Sequence, residues 1–122
     1  MHCPKCESPL EEKSYGADIQ VKSCQGCGGI LCKTKTLTKM RSEWMADLML
    51  DRGDPEKGKE MDKMVNINCP SCSNAMSKVF DEEQAHVFME LCEPCDLVFL
   101  DAGELTDLSH LTLMERIKNL LS

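Results

Sequence analysis

Aromatic residues are scarce: one Trp, one Tyr and three Phe make up 4% of 122 residues. A chain of this length forms one ordinary domain or two very small ones, and so few rings exclude a large core built on aromatic packing. No apolar run approaches the roughly 20 residues of a membrane-spanning helix. The opening, MHCPKCESPL, contains no apolar stretch of the kind that directs secretion. Basic residues are also in deficit, 14 Lys and Arg against 21 Asp and Glu, giving a formal charge of −7. That balance argues against a broad basic face for nucleic acid.

Cysteine is abundant instead, with nine residues. In a secreted chain they would suggest a disulfide framework, but with no sign of export the expected compartment is a reducing cytoplasm, where paired cysteines are metal ligands more often than disulfides. Eight of them fall into four Cys-x-x-Cys pairs: Cys3/Cys6, Cys24/Cys27, Cys69/Cys72 and Cys92/Cys95. The spacing lets one tight turn aim two thiolates at a single ion, and two such turns complete a tetrahedral four-cysteine zinc site. Seventeen residues separate Cys6 from Cys24 and nineteen separate Cys72 from Cys92, both within the range for this pattern. The expectation is two zinc ions per chain, one held by Cys3, Cys6, Cys24 and Cys27, the other by Cys69, Cys72, Cys92 and Cys95.

The pairs mark a repeat. Aligned on the second knuckle of each copy, 19-IQVKSC-24 faces 87-VFMELC-92, so Ile19, Val21 and Ser23 match Val87, Met89 and Leu91. Alternation of period two predicts a strand entering the knuckle. Beyond it, Ile30 and Leu31 match Val98 and Phe99, then Leu37 and Met40 match Leu105 and Leu108, and the change to helical spacing predicts a helix after the strand. Each copy therefore reads as knuckle, strand, knuckle, strand, helix, with hairpin tips near Tyr15-Gly16 and Asp81-Glu82-Glu83. The ninth cysteine, Cys32, falls opposite Leu100. It reads as a small buried hydrophobe, the alternative being a fifth ligand or redox thiol.

The second copy, NCPSCSNAM followed by CEPCDLVFLDAGEL, resembles the transcription-factor-IIB-type zinc ribbon family found in small bacterial proteins, with its CPxC knuckle and CxxCxGxWLDxGEL ending. Cys69, Pro70, Cys72, Cys92, Cys95, Leu100, Asp101, Gly103, Glu104 and Leu105 match that pattern, and Leu97 and Phe99 stand where it has glycine and tryptophan. The first copy keeps Cys3, Pro4, Cys6, Cys24, Cys27, Gly29 and Leu37 but has Lys33, Lys35 and Thr36 in place of the aspartate, glycine and glutamate. The resemblance implies zinc binding and a ribbon fold; a role in transcription is implied only through the family's name.

Asp101 also suits the cap of a helix beginning near Ala102, with Thr34 or Thr36 serving the first copy; the alternative is an acidic docking patch. Leu37, Met40, Trp44 and Leu48, flanked by Met45 and Met49, form a helical stripe ended by Gly53-Asp54-Pro55. Residues 55–63 read as a charged linker or a short frayed helix. Leu105, Leu108, Leu111, Met114, Ile117 and Leu121 continue at helical intervals through the tail, where Thr112 and Glu115 suit a capping box. Both stripes are either core or a partner surface.

Charge is uneven: residues 1–41 carry seven Lys/Arg against four Asp/Glu, a formal +3, while the rest carries −10. Lys33, Lys35, Lys39 and Arg41 cluster at the first helix, either as a solvated face or as a phosphate contact. Catalytic zinc needs an open position and usually histidine or carboxylate ligands. His2, His86 and His110 pair with no nucleophile at a recognisable spacing, so no catalytic residue and no enzymatic activity is expected.

The expected architecture is a small metal-stabilised α+β chain of two zinc ribbons, each followed by a helix: a first ribbon over 1–40, a helix extension and charged linker over 41–66, a second ribbon over 67–108 and a C-terminal helix over 109–122. The expected function is a zinc-binding adaptor, gripping a protein partner or a second copy through Trp44, Met45, Leu48, Met49, Ile117 and Leu121, with no membrane contact and a link to transcription. The alternatives are nucleic-acid binding through the basic first repeat and a zinc- or redox-responsive switch.

Overall fold

The structure, a computed structural model, describes residues 1–42, 50–64, 66–80, 88–106 and 108. The alternating segment forms a strand: β2 (Ile19–Cys24) buries Ile19, Val21 and Ser23 and turns Gln20 outward. It pairs with β1 (Leu10–Tyr15) through a turn at 16–18, where Gly16 has φ 67°, a left-handed conformation that glycine adopts without steric cost. β3 (Ile30–Lys33) follows the second knuckle. The second repeat supplies β4 (Ser77–Phe80), β5 (Phe88–Cys92) and β6 (Leu97–Leu100). The tip expected at 81–83 lies outside the described residues.

The two copies form one structure. All six strands belong to a single sheet in the order β1-β2-β3-β6-β5-β4, every neighbour antiparallel. The join is β3 against β6, pairing Ile30 with Leu100, Leu31 with Phe99, Cys32 with Val98 and Lys33 with Leu97. Leu31 and Phe99 occupy the same position in the repeat, so a pseudo-twofold axis passes between them. ILC and LVFL are continuous apolar runs because these central strands are covered on both faces.

One face of the sheet packs against helix. α1 (Thr34–Ser42) leaves β3 directly, and Met40 enters a cluster with Ile19, Val21, Ile30, Cys32, Met89, Val98 and Leu100, with Leu37 beside it. Leu105 and Leu108, the repeat equivalents of Leu37 and Met40, join the same cluster, and residues 104–106 and 108 are helical. The other face carries the cysteines, packed with Leu31, Phe99, Ile67 and Met76. The expected fold class, a small α+β chain with two ribbons, is what the structure contains.

Residues read as linker or short frayed helix form α2 (Pro55–Asp62), a capped helix: the Asp54 carboxylate accepts from the Glu56 N–H at 3.0 Å, and proline opens the first turn. Proline needs no N–H partner there. Gly58 lets α2 lie on the backbone of the second ribbon, since a methyl group at that position would stand 2.0 Å from the Ala102 carbonyl oxygen. The stripe residues Trp44, Met45, Leu48, Met49, Ile117 and Leu121 lie outside the described residues.

Candidate metal centres

Each knuckle is a turn closed by backbone hydrogen bonds. In the first, Cys3 N–H donates to Ser8 O at 2.8 Å and Glu7 N–H donates to Cys3 O at 3.1 Å; Cys69 with Asn74 and Ser73 repeats this at 2.8 and 2.9 Å. Cys24 N–H donates to Gly29 O and Gly28 N–H to Cys24 O in the same way. The residue after each pair takes a left-handed conformation: Glu7 at φ 65°, Gly28 at 79°, Ser73 at 66° and Asp96 at 56°. Only Gly28 announces this in the sequence; Glu7 is held there against its preference by the closed turn.

The turns gather the sulfurs into two groups, Cys3, Cys6, Cys24, Cys27 and Cys69, Cys72, Cys92, Cys95, with all Sγ atoms in each within 4.8 Å of one another. Four thiolates around zinc, at bonds of about 2.3 Å, stand about 3.8 Å apart in a tetrahedron. Cys3 and Cys27 are 3.8 Å apart, Cys72 and Cys92 3.5 Å, and Cys6 and Cys24 3.2 Å. A zinc-sized ion fits after an outward shift of tenths of an ångström. Backbone N–H groups already point at the first sulfur of three knuckles, from Lys5 to Cys3 at 3.4 Å, Gly26 to Cys24 at 3.3 Å and Ser71 to Cys69 at 3.4 Å; at Cys24 burial outweighs such donors and raises the thiol. The hydrogen bond between Cys27 and Cys3 draws Cys3 down to about 5 and pushes Cys27 up, with burial adding to the rise. A divalent cation would displace the protons that remain.

Cys32 stands apart from both groups. It is 4% exposed in the helix-side cluster, and burial pushes its thiol up to about 12, which accords with the small buried hydrophobe expected from its repeat position. His2 forms an isolated bridge with Pro9 and is in neither sulfur group. His86 and His110 lie outside the described residues.

The acidic cluster differs from its sequence reading. The Asp101 side chain does not cap the following helix; its Oδ2 accepts from Lys5 Nζ at 2.7 Å, with Asp101 1% exposed. The cap comes instead from Asp51, whose carboxylate accepts from Gly103 N–H at 2.9 Å and Thr106 N–H at 3.0 Å. In the first copy, Thr34 begins α1 with its N–H on Asp96 O at 3.1 Å and its hydroxyl on the Asp96 carboxylate at 2.6 Å. Asp96 is the turn residue of a second-ribbon knuckle. Its counterpart Gly28 lies against Ala102 at the equivalent place across the axis. The second knuckle of each ribbon thus abuts the helix start of the other.

Lys5 is the buried charge that the sequence concealed. Sitting inside CPKC, it resembles any solvated knuckle lysine, yet its side chain is fully buried, with Nζ 2.7 Å from both Glu90 and Asp101, 3.0 Å from Met61 O and 5.7 Å from the centre of the Phe99 ring. Burial alone would lower the Lys5 pKa, but the bonds to Asp101 and Glu90 outweigh it and raise it. Burial lifts Glu90 to about 7 against the pull of Lys5, and burial beside the Asp101 charge lifts Glu104 to about 10. Oxygens of Asp62, Glu90 and Asp101 lie within 4.8 Å of one another, a spacing suited to a hard cation, but the Lys5 ammonium already contacts two of the three.

Residues 2–42 match the transcription factor zinc-finger family, the TFIIB-type zinc ribbon. The match falls on the first copy, which departs from the LDxGEL ending, and spans both of its knuckles, its three strands and α1. Comparison with curated proteins and with solved structures returned no match. The family match over the first copy, together with the two four-cysteine groups, supports a structural zinc-binding protein. Among the described residues no helix is long and apolar enough to cross a membrane.

Proposed function

We propose that this chain is a non-enzymatic zinc-binding adaptor of the cytoplasm. One zinc ion sits on Cys3, Cys6, Cys24 and Cys27 and a second on Cys69, Cys72, Cys92 and Cys95. The observation that carries the reading is the closure of both sulfur groups: four ligands each, from one ribbon each, leave no open position for substrate. The ions contribute the folding energy that a chain with few aromatics lacks. The apolar stripes, Trp44, Met45, Leu48 and Met49 with Ile117 and Leu121, are the surface by which it would hold a protein partner or a second copy, and the family's description supports a place in transcription regulation. Elemental analysis of the purified chain should give two zinc ions. Sedimentation at micromolar concentration should give a dimer, or pulldown at raised salt should retain partners after nuclease. A monomer with a buried Trp44 fluorescence and no nuclease-resistant partner would remove the adaptor reading.

A second reading has one observation in its favour. A groove of about 500 Å³ beside β2 and β3 is lined by Lys22, Lys33 and Lys39, though Glu12 and Asp18 share its wall. Nucleic acid bound there would dissociate with nuclease in the same pulldown.

A further inference from the structure

We infer that Lys5 couples the two metal centres: closing the first knuckle seats the Lys5 ammonium among carboxylates beside the second site, so that filling either site raises the affinity of the other. The inference rests on the zinc reading above and concerns how the two ions act together.

Lys5 is fixed at both ends. Its N–H points at Cys3 Sγ at 3.4 Å, inside the first knuckle, while its ammonium contacts Glu90 and Asp101 at 2.7 Å and Met61 O at 3.0 Å. These partners belong to the frame of the second site. Glu90 is on β5, which ends at Cys92; Asp101 follows β6, which begins just after Cys95; Met61 is on α2, which leads towards Cys69. An open first knuckle would withdraw the cation that, among the described residues, contacts both carboxylates. Among the described residues, Glu90 Oε2 and Asp101 Oδ1 already have no hydrogen-bond partner. A buried charge stripped of its partner is strongly destabilising, so the strands would have to shift to admit water, carrying Cys92 and Cys95 with them. By thermodynamic linkage the effect on affinity is equal in both directions.

The repeat shows that this contact has no counterpart elsewhere in the pseudo-symmetric frame. Lys5 corresponds to Ser71, which is exposed, and Glu90 and Asp101 correspond to Lys22 and Lys33. The two copies carry opposite charges at equivalent places, and among the described residues it is the lysine of the first knuckle that ion-pairs with both Glu90 and Asp101.

The test is a cycle on the full chain. Second-site affinity is measured by chelator competition, with cadmium-113 NMR resolving the two sites, in the intact first site and in Cys6→Ser. With Lys5 present, disabling the first site should weaken the second by about tenfold or more; in Lys5→Met the same change should cost less than about threefold. The pair Lys5→Met/Asp101→Leu replaces the buried ion pair with apolar groups, a change proteins often tolerate, and should also show the small effect. A full tenfold loss in the Lys5→Met backgrounds would assign the coupling to the shared sheet and overturn the proposal. So would no loss with Lys5 present, or failure of the pair variant to hold the second ion at all. A wild-type chain that binds no zinc would defeat the zinc reading instead.

Discussion

Leu31 and Phe99 face each other across the central strands, the same position of two repeats meeting on a pseudo-twofold axis. Both are buried, at 2% and 0% exposure, and the ribbons are joined through them. Replacing Leu31 by Ala should cost roughly 2–5 kcal/mol and Phe99 by Ala roughly 3–5 kcal/mol. Measured by denaturant unfolding of the zinc-loaded chain, the double variant should depart from additivity by about 0.5–3 kcal/mol. Strictly additive costs would mean that the two side chains act independently.

Cys32 should be silent in metal binding and in thiol chemistry. Cys32→Leu, which installs the residue of the second copy, should keep two zinc ions, whereas Cys27→Ser should lose at least one. With its thiol raised to about 12 by burial, Cys32 should resist iodoacetamide at neutral pH until the chain is denatured. Rapid labelling of the native zinc-loaded chain at Cys32 would contradict its placement.

Gly58→Ala separates helix propensity from packing. Propensity alone would favour alanine in α2 by up to about 1 kcal/mol. The approach of the Ala102 carbonyl, 2.0 Å from the added methyl position, should reverse the sign and destabilise the protein by roughly 1–3 kcal/mol. A stabilised variant in thermal unfolding would show that α2 does not rest on that backbone.

Glu104 should make stability fall as pH rises. Its folded pKa of about 10 lies far above the roughly 4.3 of an unfolded glutamate. Between those values the folded chain keeps a proton that the unfolded chain has released, which favours unfolding increasingly with pH. The groups facing it are Asp101, Glu90 and Asp62, with Lys5 paired to the first two. Glu104→Gln removes the titration, so at saturating zinc its stability relative to wild type should grow from pH 5 to pH 9. A difference that stays flat would be evidence that Glu104 is ionised in the fold.

The sequence by itself determined the local structure. Cys-x-x-Cys spacing defined the two groups of four because turn geometry is set by a few neighbouring residues. Alternation at Ile19 and Val21, and helical spacing at Leu37, Met40, Leu105 and Leu108, identified side chains that all pack into one cluster. Tertiary structure alone decided how the copies meet. The edges of β3 and β6 are backbone, and backbone pairing leaves little mark on side-chain pattern, so the join through Leu31 and Phe99 was not legible. Nor were the partners of charged side chains. Lys5 and Asp101 are 96 residues apart in sequence, and burying both is tolerable only because the fold brings the ammonium to the carboxylate. Separations of 52 and 62 residues hid the caps too: Asp51 and Asp96 reach helix starts that no local motif connects to them.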